Sequence, residues 1–175
     1  GSVFGARAGG QPSQKMFESR LAAALRALDP GRPVLVEAEA NKVGDLNLPP
    51  ALWTRMRAAP RLRLAAPLAE RAAYLARTYA DMIHRPGFLS GAVEALRGYH
   101  AHETIDGWHR LAAEGRFAEL AGALMAAHYD PRYARSSARQ ARAATEEIAL
   151  DRLDAAGLAR AADAILRRME DMAAG

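Results

Sequence analysis

Lysine is rare in this sequence, and both lysines occur where they could bind an anion. The chain of 175 residues contains Lys15 and Lys42 against twenty-two arginines. An ammonium group is a compact point charge with three donors, which suits a phosphate. Ser13 and Gln14 open a predicted helix with Lys15 in its first turn, where free backbone N–H groups favour negative charge. We therefore predict an anion site framed by Lys15 and Lys42; the alternative is two ordinary surface lysines.

Two glutamates precede Lys42 at the end of a short apolar run. Residues 33–38 predict a buried strand that runs into Glu37 and Glu39. Alternation along an extended segment would place both carboxylates on one side. At the C-terminal end of a parallel strand, such carboxylates can hold Mg²⁺ or take a proton. We assign Glu37 and Glu39 a catalytic role on this basis; the alternative is a solvated, charged loop.

A basic stripe follows an aromatic segment in the second half of the chain. The segment is His128-Tyr129-Asp130-Pro131-x-Tyr133. Arginines then recur at helical spacings of 3, 4 and 3, at Arg132, Arg135, Arg139 and Arg142. Arginines beside the stacking-capable Tyr129 and Tyr133 predict a contact surface for RNA. The alternative is a solvated arginine face.

Composition excludes several other kinds of chemistry. The sequence has no cysteine, which rules out disulfides and thiolate catalysis within these residues. A net charge of +4 suits an acidic partner. No apolar run approaches the length of a membrane span, so we predict a cytoplasmic protein without membrane contact. His100, His102 and His109 lack a completing acid pattern, so we predict no metal-binding histidine site.

The elements that must position these residues alternate between helix and strand in the first half of the chain. Strands are predicted at 33–38, 61–65 and 145–150. Helices are predicted at 14–28, 50–58, 68–84, 88–98, 104–113, 116–128, 131–143 and 155–173. This order indicates an α/β fold, a truncated parallel sheet like that of P-loop NTPases, with a helix-rich C-terminal portion. The complete phosphate-loop pattern is absent, so that strand and loop are expected to lie outside this chain.

We accordingly divide the chain into three parts. Residues 1–85 are the remainder of the α/β domain, 86–144 are a helical insertion or subdomain, and 145–175 are the last strand and helix.

The segments above resemble the C-terminal part of the tRNA 2-selenouridine synthases. They occur in family order and at family-like spacing across nearly the whole chain. The matching strings are Gly1-Ser2-x-Phe4-Gly5, Gln11-Pro12-Ser13-Gln14-Lys15-x-Phe17-Glu18, Val36-Glu37-Ala38-Glu39, Lys42-x-Gly44, Leu48-Pro49 and His128-Tyr129-Asp130-Pro131-x-Tyr133. Ala40 departs from the pattern, which usually has serine there.

The resemblance implies a transferase that acts on 2-thiouridine at the wobble position of a tRNA anticodon stem–loop. A geranyl group from geranyl diphosphate is placed on sulfur, and selenium from selenophosphate then replaces the geranylthio group. Lys15 would stabilise the diphosphate leaving group, with Ser13, Gln14, Lys42 and Gly44 binding phosphate. No covalently bound cofactor is implied, and Mg²⁺ is a candidate.

The family also implies N-terminal rhodanese and P-loop modules, and the rhodanese module carries the catalytic cysteine. Without these modules we expect this chain to be inactive alone. Two other functions stay open from the residues themselves. One is a fragment of a nucleotide-dependent phosphotransferase, and the other is a non-enzymatic, arginine-rich RNA-binding module.

Overall fold

The computed structural model describes residues 10–37, 40–140 and 145–174, with side chains for all of these except 136–140 and 173–174. The chain divides into two compact units. The first contains the described residues up to 61 together with 145–146 and 165–174. The second contains residues 62–140 and 147–164.

The first half of the chain contains both helices and strands. The elements there are α1 (Gln14–Arg26), β1 (Lys42–Val43), β2 (Leu46–Asn47), α2 (Pro50–Ala58), β3 (Arg61–Ala65), α3 (Leu68–Thr78) and α4 (Ala80–Ile83). Ser13 caps α1, since its hydroxyl accepts a hydrogen bond from the Met16 N–H at 3.3 Å. Pro50 starts α2, where a missing N–H has no cost.

The second half is almost wholly helical. Its elements are α5 (Phe88–Glu94), a 3₁₀ turn (Arg97–Tyr99), α6 (His102–Ala113), α7 (Phe117–Leu124), a π-helical turn (Met125–Tyr129), α8 (Asp130–Gln140), β4 (Thr145–Ala149) and α9 (Ala155–Ala174). None of the described helices combines the length and apolarity that crossing a membrane requires.

The described strands form two small sheets. β1 and β2 pair antiparallel, with Lys42 opposite Asn47 and Val43 opposite Leu46. β3 pairs with β4, and the two run parallel because the Leu150 N–H donates to the Ala65 carbonyl while Arg63 contacts Glu147 earlier in both strands. The strands predicted at 61–65 and 145–150 are thus confirmed, the second ending at Ala149.

The strand predicted at 33–38 is wrong for the part that the structure describes. Residues 33–37 form no strand, and Val34, Leu35 and Val36 are about half exposed. Apolar β-branched residues favour a strand only when a neighbouring strand completes the ladder. The two described sheets contain no partner for this segment.

Several predicted helices also differ in detail. The helix predicted at 68–84 is interrupted at Tyr79, which lies between α3 and α4 with φ −102°. The helices predicted at 116–128 and 131–143 meet through the π-helical turn. Pro131 cannot donate a hydrogen bond and its ring crowds the carbonyl four residues earlier, so a wider turn there relieves the conflict.

An apolar core holds the second unit together. Its buried members, Val93, Ile105, Trp108 and Leu120, come from α5, α6 and α7. α3 packs closely on α7, where a Cβ added to Gly122 would lie 3.7 Å from the Cβ of Ala72. This core supports the π-helical turn and the start of α8.

Candidate functional site

A tight hairpin carries Lys42. Gly44 and Asp45 form the two-residue turn between β1 and β2. Gly44 has φ +61°, a left-handed conformation that favours glycine and, at the first turn position, typifies type II′ hairpins. The hairpin is so short that its own ladder contributes little stability. Its position must therefore depend on contacts from elsewhere in the first unit.

Gln11 supplies the first of these contacts through its side-chain amide. Its Nε2 donates to the Val43 carbonyl at 2.5 Å, and its Oε1 accepts from the Asp45 N–H at 2.8 Å. The amide thus binds the turn as another peptide group would. A Cβ at Gly44 would lie 2.5 Å from Gln11 Oε1, so only glycine leaves room for this amide.

Gln14 repeats the arrangement at the end of the hairpin. Its Oε1 accepts from the Asn47 N–H at 2.9 Å, and its Nε2 donates to the Asn47 carbonyl at 2.8 Å. Nε2 also donates to Glu18 Oε1 at 2.7 Å. We call Gln11, Gln14 and residues 42–47 the amide clamp. It attaches the hairpin to the N-terminus of α1.

The amide clamp brings both lysines to the same part of the first unit. Lys15 follows Gln14 in α1, and Lys42 pairs with Asn47, the residue that Gln14 binds. Both lysines are exposed, and neither forms an ion pair with a described residue. The first turn of α1 contains no acidic residue. Two ammonium groups with no described counterion beside a helix N-terminus can bind an anion.

Ser13 and Gln14 also stabilise the local structure. The Ser13 hydroxyl caps α1, and both polar atoms of the Gln14 amide are hydrogen-bonded within the chain. Their predicted contact with phosphate stays a prediction. Glu37 lies exposed in the segment before the hairpin, and Glu39 is outside the described residues. Because residues 33–37 form no strand, the alternation of side chains along a strand no longer places Glu37 and Glu39 on one side.

The predicted arginine surface lies on the helix that starts at Asp130. Arg132, Arg135, Tyr129 and Tyr133 are exposed. The side chain of Arg139 and the whole of Arg142 lie outside the described part of the chain. The Nε of Arg135 donates to the carbonyl of Pro131 at 3.0 Å. The structure thus places four of the six predicted residues on an exposed, basic stretch.

Sequence reasoning missed a cluster that forms beside this helix. His128 is buried, and its Nδ1 lies 2.9 Å from His100 Nε2. The Arg132 guanidinium lies 5.1 Å from the ring centroid of Tyr99. Burial keeps the pKa of His128 below its usual range, and the charge of Arg132 and then His100 adds to that effect. The only signal in the sequence was the density of aromatic residues around His128.

A bidentate ion pair fixes the helix next to this cluster. The guanidinium of Arg71, in α3, donates to both carboxylate oxygens of Asp130, at 2.9 and 2.7 Å. These hydrogen bonds lower the pKa of Asp130 below its usual range. Elsewhere, His102 contacts Arg97 and His109 contacts Glu94. No group of three or more metal-ligating side chains occurs within the described ranges.

Comparison with known proteins assigns the family. The sequence model described as "tRNA 2-selenouridine synthase AAA domain" matches residues 1–104, more than half of the chain. The chain belongs to this family. It is 42% identical to the tRNA 2-selenouridine synthase of Cupriavidus pinatubonensis over 81 residues, which are 45% of this chain and 22% of the relative. It is 38% identical to that of Chromohalobacter salexigens over 85 residues, or 49% and 23%.

The matched segments therefore span about a fifth of the length of these synthases. No solved structure matches this chain. The amide clamp and both lysines lie inside the segment that matches the family model, as do Tyr99 and His100. The helix with Arg132 and Arg135 lies beyond it.

Proposed function

We propose that this chain supplies the anion-binding and tRNA-binding part of a tRNA 2-selenouridine synthase. In the proposed reaction, wobble 2-thiouridine is converted to 2-selenouridine through an S-geranylated intermediate, with geranyl diphosphate and selenophosphate as substrates. Membership of the synthase family supports the reaction class. The observation that carries the assignment of the site is the amide clamp, which holds the Lys42 hairpin at the N-terminus of the helix that bears Lys15.

Lys15 acts on the leaving group in this proposal. When the thiouridine sulfur bonds to C1 of the geranyl group, the C1–O bond breaks and the electron pair leaves with diphosphate. The ammonium of Lys15 and the N-terminus of α1 stabilise that charge. Lys42 binds the other end of the diphosphate, and selenophosphate uses the same cations in the second step. Gly44 contributes by letting the hairpin backbone approach Gln11.

Glu37 and Glu39 supply carboxylates near Lys42 in the sequence. Carboxylate oxygens are ligands that Mg²⁺ prefers, and Mg²⁺ commonly accompanies diphosphates. Glu37 fits this role because it is exposed and makes no ion pair with the described residues. We propose that it accepts a proton or holds Mg²⁺ together with Glu39, two residues further along the chain.

The tRNA contact surface consists of the arginine stripe and its tyrosines. Arg132 and Arg135 would contact backbone phosphates of the anticodon stem–loop, with Arg139 and Arg142 extending the stripe. Tyr129 and Tyr133 would contact bases. β3 and β4 would belong to a P-loop-type sheet, and the longer synthases would add the rhodanese module. We propose that the whole transferase works in the cytoplasm.

The test is binding of this chain to a 2-thiouridine anticodon stem–loop at about 50 and 200 mM salt, with and without geranyl diphosphate. We expect affinity to fall steeply with salt and to rise when geranyl diphosphate is present. Lys15→Ala and Lys42→Ala should remove the effect of geranyl diphosphate and leave RNA binding nearly unchanged. Arg20→Ala is the matched control, because Arg20 is an exposed cation in the middle of the same helix.

Two results would contradict the proposal. Equal loss of the geranyl diphosphate effect in Arg20→Ala would show that the lysines act only through general charge. If the RNA affinity of the unmodified chain is the same with and without geranyl diphosphate, a plain RNA-binding module is favoured. In the longer enzyme, retained geranyl transfer by Lys15→Ala at an unchanged melting temperature would remove Lys15 from the reaction.

A further inference from the structure

Tyr99 is the most exposed large apolar side chain in the part of the chain that the structure describes, at 65%. It ends the 3₁₀ turn and lies beside the π-helical turn. An exposed tyrosine ring alone needs no explanation. What distinguishes this ring is the set of charged and aromatic groups arranged around it.

The guanidinium of Arg132 lies over the Tyr99 ring at 5.1 Å from its centroid. Arg132 pairs with no carboxylate among the described residues, and its Nη1 lies 3.5 Å from His128 Nε2. By contrast, Arg71, Arg97 and Arg116 each bind a carboxylate through two donors. Arg132 therefore keeps its full charge and a planar face against an aromatic ring.

Packed aromatic rings support this pair. His128 is only 8% exposed, and its ring meets Tyr99 edge-on at 5.6 Å and Tyr129 edge-on at 5.0 Å. His100 hydrogen-bonds to His128 and packs on the ring of Trp108 in the core at 4.8 Å. Tyr99 and Tyr129 are thus held by a continuous column of rings that reaches the core.

The backbone of this region is fixed as well. The bidentate pair between Arg71 and Asp130 anchors the residue next to Tyr129. Because the π-helical turn adds a residue per turn, it sets the direction of His128 relative to Arg132 in α8. A surface whose side chains are already positioned loses little entropy when a ligand binds.

We propose that Tyr99, Arg132 and Tyr129 form a stacking site for an unpaired nucleobase of RNA. The proposal rests on the tRNA-binding function proposed above and names the part of the RNA that is recognised. Exposed aromatic faces beside an arginine that pairs with no described carboxylate suit a base next to a phosphate. His128 and His100 are positioning residues, because they hold the tyrosines and Arg132 and do not present a free face.

A metal ion is a poorer occupant of the same place. Only two imidazoles meet here, and no third ligand joins them among the described residues. Both polar nitrogens of His128 already have neighbours, and the positive charge of Arg132 repels a cation. A base fits better because it is neutral, planar and attached to a negative backbone.

The experiment compares binding of two RNAs to the same chain. One is a stem–loop with 2-aminopurine at an unpaired loop position, and the other is a fully paired duplex of equal charge. The readouts are affinity and the fluorescence of 2-aminopurine, which stacking quenches. Tyr99→Leu removes the aromatic face, Tyr99→Phe retains it, and Arg132→Lys retains charge without the planar group. Arg110→Lys, at an exposed arginine of α6, is the charge-matched control.

We expect Tyr99→Leu to weaken stem–loop binding about tenfold, in line with the contribution of one base–aromatic stack, and to abolish the quenching. Tyr99→Phe and Arg110→Lys should behave like the unmodified chain, and Arg132→Lys should lose most of the quenching. Duplex binding should not change in Tyr99→Leu, Tyr99→Phe or Arg110→Lys. Since Tyr99 is so exposed, the melting temperature of Tyr99→Leu should stay within a few degrees of the parent.

Two outcomes would overturn the stacking site, and they can be told apart. If the unmodified chain binds the stem–loop with salt-sensitive affinity and Tyr99→Leu binds it equally well, the stacking site is wrong while the tRNA surface stands. If the unmodified chain binds neither RNA, the stacking site and the proposed tRNA-binding function are both wrong.

Discussion

The amide clamp and the helical core around Ile105 hold their residues in place by different forces. No residue of α1 is buried, and the hairpin is held by the amides of Gln11 and Gln14. In the second unit, Ile105 and Val93 are fully buried among leucines and Trp108. Each polar contact contributes about 1 kcal/mol net, whereas each large buried side chain contributes about 1.5–3 kcal/mol. Stability should therefore depend on the core.

The same contrast bears on function. Hydrogen-bonded amides are directional, so they fix the position of the hairpin backbone even though they add little stability. The candidate anion site occurs where the geometry is set by directional contacts. The candidate stacking site occurs where an apolar core supports exposed rings. Substitutions in the two regions should consequently have effects of different sizes on different measurements.

The largest effect should come from Ile105→Ala. Ile105 has no exposed surface, and deleting its three outer carbons leaves a cavity beside Trp108 and Leu120. We expect the free energy of unfolding to fall by about 2–5 kcal/mol in urea titrations. Leu25→Ala in α1 is the matched control, because this leucine is 43% exposed and its truncation should cost less than about 1 kcal/mol. Equal losses would contradict the contrast between the regions.

Gly44→Ala should have an intermediate effect that is confined to the hairpin. The new Cβ would take a strained φ and collide with the Gln11 amide, so both hydrogen bonds of that amide would be lost. We expect the local opening free energy to fall by about 2–4 kcal/mol, measured as faster hydrogen exchange of the Asp45 and Asn47 amides.

Gly10→Ala tests the effect of backbone strain without a steric clash. Gly10 has φ +74°, but nothing lies within 4 Å of the added Cβ. This variant should show strain alone, about 1 kcal/mol, without faster exchange at Asp45. If the Asp45 backbone amide exchanges no faster in Gly44→Ala than in Gly10→Ala, the side-chain amide of Gln11 does not hold the turn.

Local sequence signals predicted much of the fold. The bounds of α2 and β3 agree with the prediction, since Pro50 marks a helix start and residues 61–65 alternate. Ser13 was predicted to open the first helix, and it caps α1. The hairpin was missed, although Val43 and Leu46 flank a Gly-Asp pair that typifies hairpin turns. The polar segment around Lys42 was interpreted only as a source of charged side chains.

Contacts between residues far apart in the sequence could not be predicted in this way. Gln11 binds a turn 32 to 34 residues away, and His100 meets His128 across 28 residues. A side-chain amide that completes a hairpin leaves no periodic pattern. The strand prediction over residues 33–37 was wrong for a related reason. An apolar segment forms a strand only where a neighbouring strand can pair with it.

The smallest effect should be a pH dependence that belongs to the second unit. The folded state lowers the pKa of buried His128, chiefly by desolvation and also through Arg132 and His100. Between the folded pKa and the usual value of about 6.5, the unfolded chain binds the extra proton, so stability rises with pH there and is lost as pH falls. For one proton, the slope cannot exceed about 1.4 kcal/mol per pH unit. Urea titrations between pH 5.5 and 7.5 should show this loss, and His128→Gln should flatten it.

The clamped hairpin provides the control for this prediction. No histidine precedes His84, so the opening of the hairpin, measured by hydrogen exchange and corrected for intrinsic exchange rates, should not follow the same titration. If the unfolding free energy of His128→Gln keeps the same slope against pH, another histidine causes the effect. If the hairpin opens with the same pH profile, the two regions are not energetically distinct.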